Sequence, residues 1–577
     1  MALGVEPFYW DVEGGYHDTP EATMRAVVDV LEADADAQAG RGVPPVIVGR
    51  PERIDVGPSE DVSLVLVDGT DVPLHVQHGC VDLPPDLPFG CHALALGGAR
   101  ATLVVAPPIM PRDPDLAGGG GLFVPTYALW ERNALLPSFA HLAALAATAH
   151  RVGLAVVSTL PVYAAMLDEP FDPSPYAPAS RLQWNEVYID DASLPAAPTP
   201  RFSELIDWTE LARRRRGQLL DAALDLDPYI QTGVAEFVAG RPDVAGFARW
   251  RAGTNDPSDA GRPKALVERS HLLAQYLADR QLAGIEGPSS AVLALDLPIG
   301  SHPDGYETWA NPSLFAPGIK VGAPPDEFFA EGQNWGFPPQ LPGAGRRSGH
   351  ALWRDLVARA GEHASLLRID HVMGVQRLWW IPDGSSATDG VYVRYPREEL
   401  LAVIAAEAAR TRTTIVGENL GTVPEEVTEA LERWDVIGMF EEQFNLYHRA
   451  ALPPVPADSV AGIRTHDMPA FAAAFSGDAT GGVYDYRRLV EQAVDRPVGD
   501  GAAAVLDAAL ERLAGSDAYL VVADLDDLVG ETAPHNVPGK VLPSTWRRRL
   551  RRPTSEVLAD PDVRRRLSLL SDRKARG

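Results

Sequence analysis

Residues 367–382 read LRIDHVMGVQRLWWIP. Leu366, Leu367 and Ile369 form a short apolar run, and Arg368 and Asp370 interrupt it with charge. Burying an arginine and an aspartate is costly unless they are paired or put to use. A strand alternates its faces with period 2, so Arg368 and Asp370 would share one face. On that face the guanidinium would hold Asp370 ionised and oriented, because an adjacent cation favours the carboxylate. An ionised, fixed carboxylate is a workable nucleophile.

Similar runs flank this one. The strand candidates are GLAVVSTLP (153–161), AVLALDLPIG (291–300), SLLRIDHV (365–372), TTIVGENLG (413–421), DVIGMFEEQF (435–444) and VAGIRTHD (460–467). Each is short and apolar, and helical or loop material separates it from the next. Repeated β-then-α units imply a parallel sheet with both faces covered. The expected fold class is α/β. It is a (β/α)8 barrel over 122–577 with helical insertions, notably at 202–290, because roughly 450 residues suit an elaborated barrel better than an open sheet. The run Arg213–Arg216 and the Arg-rich segment 547–576 read as solvated helix faces.

The N-terminal part reads differently. Residues 19–33 carry a helical pattern with Thr19 and Pro20 at its start. VSLVLVDGTDVPLHV and HALALGGARATLVVA then pair β-rich arms around DG and GG turns, which suggests a small β-sandwich-like domain over 1–105. The segment 106–121, APPIMPRDPDLAGGGG, reads as a Pro/Gly-rich linker.

Composition narrows the chemistry. With 79 acidic and 51 basic residues the net charge is −28, which argues against nucleic acid or an anionic membrane as partner. Cys80 and Cys91 are too few for a disulfide framework or a zinc knuckle and read as buried thiols. The N-terminus lacks the basic and apolar regions of a signal peptide, so the expected location is cytoplasmic. Neither GxGxxG after a strand nor GxxxxGK[ST] occurs, which demotes nucleotide-dependent chemistry. Nothing in the sequence sets the oligomeric state.

In a barrel the reacting groups sit at the C-terminal strand ends. Asp296, Asp370, Glu418 and Asp467 all stand near such ends. A retaining glycosidase mechanism needs a carboxylate nucleophile and a carboxylic acid about 5–5.5 Å apart, and Asp370 with Glu418 supplies the pair. Asp467, next to His466, offers a third acid for sugar hydroxyls. Trp309, Trp335, Trp379 and Trp380 could meet sugar faces, with Trp379 and Trp380 read as barrel packing first. Taken singly, a strand-end Asp is more often a cap or turn residue, and either His alone would be structural. The pairs Asp370-His371 and His466-Asp467 could also be metal ligands of a phosphohydrolase. Those ligands sit on helices, whereas both pairs here follow β-like runs, so no metal site is expected. A non-catalytic glycan-binding protein is the other alternative.

Taken together, these segments resemble the 4-α-glucanotransferases called amylomaltases or disproportionating enzymes, glycoside hydrolase family 77 of the α-amylase clan. RIDHVMGVQRLWWIP, IVGENLGTVPEEV and RTHDMPAF look like three motifs of that family. VGAPPDEFFAEGQNWGFPP (321–339), DPSPYAPASRLQWNEVYI and ETAPHNVPGK look like three more, in the same order. The resemblance implies that Asp370 is the nucleophile, Glu418 the general acid/base and Asp467 the transition-state stabiliser. It places Arg368, His371 and His466 around the cleaved bond, and Asp296, Tyr176, Asn334 and Trp335 in substrate-lining segments. It also implies maltooligosaccharides and α-1,4-glucans as donor and acceptor, transfer in preference to hydrolysis, and no cofactor. The chain departs from the family pattern at Asn419, Met468, Pro469, Lys540 and Thr545, and around LWERNALLPSFAHL. None of these changes removes a catalytic acid.

Overall fold

The computed structural model describes residues 3–10, 15–36, 45–49, 53–55, 62–96, 99–196, 201–254, 259–326, 329–421, 423–446, 451–476 and 486–573. The expected GG turn at 97–98 and the end of the Arg-rich tail, 574–576, lie outside these residues.

Eight short strands form one parallel sheet. They are β1 Gly119–Phe123, β2 Val156–Ser158, β3 Val292–Leu297, β4 Leu366–Ile369, β5 Thr414–Gly417, β6 Gly438–Glu441, β7 Ser459–Gly462 and β8 Leu520–Asp524. Their order in the sheet is β5-β4-β3-β2-β1-β8-β7-β6, which is chain order wrapped around. Parallel strands in that cyclic order, each joined through helical or loop material, make a (β/α)8 barrel. Six of the eight are the expected runs.

The other two strands lay outside the expected runs. β8 closes the apolar stretch LVVAD, and β1 is GGGLF. Residues 119–121 therefore belong to a barrel strand and not to the linker assigned to 106–121. Glycine has low strand propensity, so the run looks like a break. Packing explains it: a Cβ on Gly120 would lie 2.6 Å from the Leu570 carbonyl oxygen, on the C-terminal helix Pro561–Ser571.

The chain divides into two compact units. The first comprises Met1–Arg112, Ile299–Glu362 and Ile369–Val436; the second comprises Asp113–Pro298, His363–Arg368 and Ile437–Gly577. In the first unit a five-stranded sheet and a three-stranded sheet share one apolar core. Leu64, Leu94 and Leu103 come from the larger sheet, and Ile54 and Val81 from the smaller. This is the small N-terminal sheet domain expected from the alternating arms. The first helix spans Glu21–Asp36. Trp379 and Trp380 are buried on the strand Arg377–Pro382 of a separate four-stranded antiparallel sheet, so they pack there and not in the barrel.

In the second unit, helices Trp208–Leu224, Pro228–Gly240, Pro242–Arg251 and Lys264–Ala283 fill the expected insertion. The arginine run is not a uniform solvated face. Arg213 is exposed, but Arg215 and Arg216 are buried on the helix side that carries Leu211, Leu219 and Leu220. Arg216 is compensated there by Glu186 at 3.4 Å and Asp259 at 3.5 Å. The C-terminal segment is corrected in the same way, since Arg548, Arg549, Arg566 and Arg573 are buried. Arg573 donates to the Leu513 and Ala518 carbonyls, two backbone acceptors near a helix end. Among the described residues no helix is long and apolar enough to cross a membrane. Cys91 is buried as expected, whereas Cys80 is half-buried, and both are free.

Candidate active site

In the first unit the site begins where β4 ends. Asp370 follows the strand, and His371 turns the chain with φ 46°, in the left-handed region. Two backbone hydrogen bonds tie this turn to the end of β5. Glu418 N–H donates to the Ile369 carbonyl, and Val372 N–H donates to the Glu418 carbonyl, both at 2.9 Å. The Glu418 side chain is fixed as well. Its Oε2 accepts from His371 N–H at 2.9 Å and its Oε1 from Leu420 N–H at 2.7 Å. The peptide that follows Asp370 therefore orients the carboxylate of Glu418.

The His371 imidazole meets Trp335 edge-on, with ring centroids 5.1 Å apart. Burial, reinforced by Arg377, pushes its pKa down to about 4, so the ring is neutral near pH 7. Trp335 in turn stacks on Phe337 at 6.2 Å. Beside it, exposed Asn334 turns its side chain onto its own backbone, Oδ1 accepting from Gly336 N–H at 2.9 Å. Trp309 is 61% exposed.

The second unit gathers a different set. Asp296, near the end of β3, is buried and accepts from Arg368 Nη1 at 2.6 Å and from the Tyr176 hydroxyl at 2.5 Å. Arg368 thus pairs with Asp296, a partner on another strand that period-2 reasoning within one strand did not suggest. The Tyr176 ring stacks on His466 at 5.0 Å, nearly parallel, and Trp546 leans on both at 5.9 and 5.8 Å. Burial lowers the pKa of His466, with neighbouring Asp467 pulling the other way. Asp467 is exposed. Its Oδ1 accepts from Asn536 Nδ2 at 2.7 Å, and its Oδ2 lies 3.3 Å from His466 Nε2.

Sequence reasoning missed a buried charged group in this unit. Arg464 lies between Asp524 at 2.8 Å and Asp527 at 2.9 Å. Asp526 is paired with Arg548 and with His535, whose Nδ1 meets the Tyr127 hydroxyl at 2.9 Å. Glu441 closes β6, and burial drives its pKa up to about 8. One signal was available: LVVADLDDL (520–528) ends an apolar run in carboxylates, as LALD does. Asn536 lies in the motif ETAPHNVPGK, but its contact with Asp467 spans 69 residues and no local spacing reveals it.

Carboxylates stand at or just beyond the ends of parallel barrel strands, the place where barrel enzymes carry their reacting groups. Comparisons with known proteins make the class specific. The family model described as 4-alpha-glucanotransferase, glycoside hydrolase family 77, matches residues 241–555. A 4-alpha-glucanotransferase of Mycobacterium tuberculosis is 31% identical over 80% of this chain and 75% of its own length. One from Haemophilus influenzae is 27% identical over 93% and 92%. The chain belongs to the 4-alpha-glucanotransferase family and is an enzyme of that type. Two solved structures share the fold. The amylomaltase of Corynebacterium glutamicum superposes with a TM-score of 0.85 at 20% identity, over 99% of this chain and 98% of its own. The amylomaltase of Streptococcus agalactiae, in complex with acarbose, gives 0.67 at 21% identity over 78% and 98%.

Proposed function

We propose that this enzyme moves α-1,4-glucosyl or maltooligosaccharyl units between α-glucans by a retaining double displacement. Asp370 attacks the anomeric carbon while Glu418 protonates the leaving glycosidic oxygen, so the first C–O bond breaks as the glycosyl–Asp370 ester forms. Glu418, now ionised, takes the proton from the 4-hydroxyl of an acceptor glucan. That oxygen then attacks the anomeric carbon and releases Asp370. Asp467, steadied by Asn536, serves the charge that develops on the ring. Arg368, His371, His466, Asp296, Tyr176, Asn334 and Trp335 bind sugar. The observation that carries the reading is the clamp on Glu418 from the residue after Asp370, which ties two acids to neighbouring strands β4 and β5. A cytoplasmic location belongs to the same proposal and is supported by two free thiols.

Incubation with maltotriose tests the reading. Glucose together with a ladder of longer oligomers is the expected product set. Shorter sugars alone, with reducing ends rising, would instead favour an α-glucan hydrolase on the same scaffold, in which water takes the acceptor's place. Binding without turnover would favour a glycan-binding pseudoenzyme.

A further inference from the structure

The first unit carries an aromatic surface that the reaction above does not use. Strands Phe8–Trp10 and Tyr16–Asp18 pair antiparallel, with Trp10 opposite Tyr16 and Phe8 opposite Asp18. Strand alternation separates the two faces of this hairpin. Tyr9 is buried on one face, edge-on to Trp379 at 4.9 Å and stacked on His17 at 4.9 Å, which anchors the hairpin. The opposite face displays Phe8, Trp10 and Tyr16, which are 38%, 58% and 50% exposed. Tyr16 bridges the other two, with ring centroids 5.2 Å from Phe8 and 5.4 Å from Trp10. The Tyr16 hydroxyl donates to Asp18 Oδ1 at 2.7 Å, which sets a polar rim beside the rings.

We infer that this hairpin is a second carbohydrate-binding surface, which holds a neutral α-glucan chain by stacking Trp10 and Tyr16 on its sugar faces. Three chemical features select that occupant. Exposed aromatic rings with an acidic, hydrogen-bonding edge suit a ligand that is apolar on its faces and hydroxylated at its rim. The net charge of −28 disfavours polyanions. The patch is also small: a stable protein interface engages about 20–30 residues a side, whereas three rings span a short oligosaccharide. The choice of α-glucan rests on the transfer reading above.

The test is native gel electrophoresis of the full chain in gels with and without glycogen, run beside maltotriose turnover. Glycogen should retard the wild type. Trp10→Ala and, independently, Tyr16→Ala should weaken retardation by about fivefold or more, the size expected of a residue that carries binding. Both variants should turn over maltotriose at the wild-type rate, and Trp10→Phe should keep most of the retardation. Unchanged retardation in both alanine variants overturns the inference. So does a parallel loss of maltotriose turnover, which would mean the hairpin acts through the fold. A change of sedimentation state without a change in retardation would assign the patch to a second copy of the chain and also overturn it. If the wild type is retarded but leaves maltotriose untouched, the transfer reading fails while the hairpin variants still decide this one.

Discussion

The backbone N–H of His371 donates to Glu418 Oε2 at 2.9 Å. His371 directly follows Asp370, so the chain that delivers one acid also orients the other. Glu418→Gln keeps an acceptor for the clamp and removes the transferable proton. Turnover should fall by about 10²–10⁴, the usual range for losing a general acid/base, with the melting temperature little changed. Maltotriose kinetics and a thermal melt check both halves. Activity within about tenfold of wild type would place the acid/base elsewhere.

Asp296 is buried and takes hydrogen bonds from both Tyr176 and Arg368. Tyr176→Phe strips one donor from that carboxylate and leaves the ring on His466. A destabilisation of about 1–3 kcal/mol is expected, with a higher KM for maltotriose. Denaturant unfolding and steady-state kinetics read these separately. If neither moves, the Tyr176–Asp296 bond has no part in the site.

Burial pushes the pKa of His271, His371 and His535 down to about 4 in each case. Between that value and about 6.5 the unfolded chain binds more protons than the folded one. The stability these rings contribute is full above about pH 6.5 and is lost as pH falls toward 4, at up to about 1.4 kcal/mol per pH unit for each ring. Because Glu441 acts with the opposite sign in this window, the test is a comparison: the pH slope of urea unfolding between 7.5 and 4.5 should be lower in His271→Asn than in the wild type. An unchanged slope would mean that the ring titrates in the fold as it does in the unfolded chain.

Glu441 has the opposite sign. Its folded pKa is raised to about 8, so its contribution is full below about 4.5 and is lost as pH rises through 8. Glu441→Gln keeps the shape of the neutral carboxyl. It should flatten the loss of stability as pH rises from about 4.5 to 8, and an unchanged slope in that window would contradict a buried neutral carboxyl at this position.

Gly120→Ala would place a methyl group 2.6 Å from the Leu570 carbonyl oxygen and 2.7 Å from its Cβ. Backbone on both sides leaves little room to yield, and overpacking of this kind costs about 1–3 kcal/mol. A matching drop in unfolding free energy is expected; a neutral substitution would show that the C-terminal helix can shift away.

The fold was legible wherever a strand announced itself by apolar residues ending in a carboxylate. LALD, LLRID and IVGE did so, and each acid stands at or just past its strand end. β1 was hidden because close packing against Leu570 demands glycine, and glycine reads as a break. The ion pair of Arg368 with Asp296 was hidden because it joins positions 72 residues apart, whereas period-2 reasoning sees only neighbours in one strand. Arg215 and Arg216 were misjudged for a related reason: the acids that compensate Arg216, Glu186 and Asp259, lie on other segments. The family motifs supplied roles that neither charge nor periodicity could assign.

Glycosyl transfer through Asp370 stands or falls on Asp370→Asn, which keeps the side chain's size and removes the nucleophilic charge. With maltotriose, the wild type should give glucose and a ladder of longer oligomers. The variant should give neither, while folding with an unchanged melting temperature. A variant that still builds the ladder at a rate near wild type would contradict the assignment.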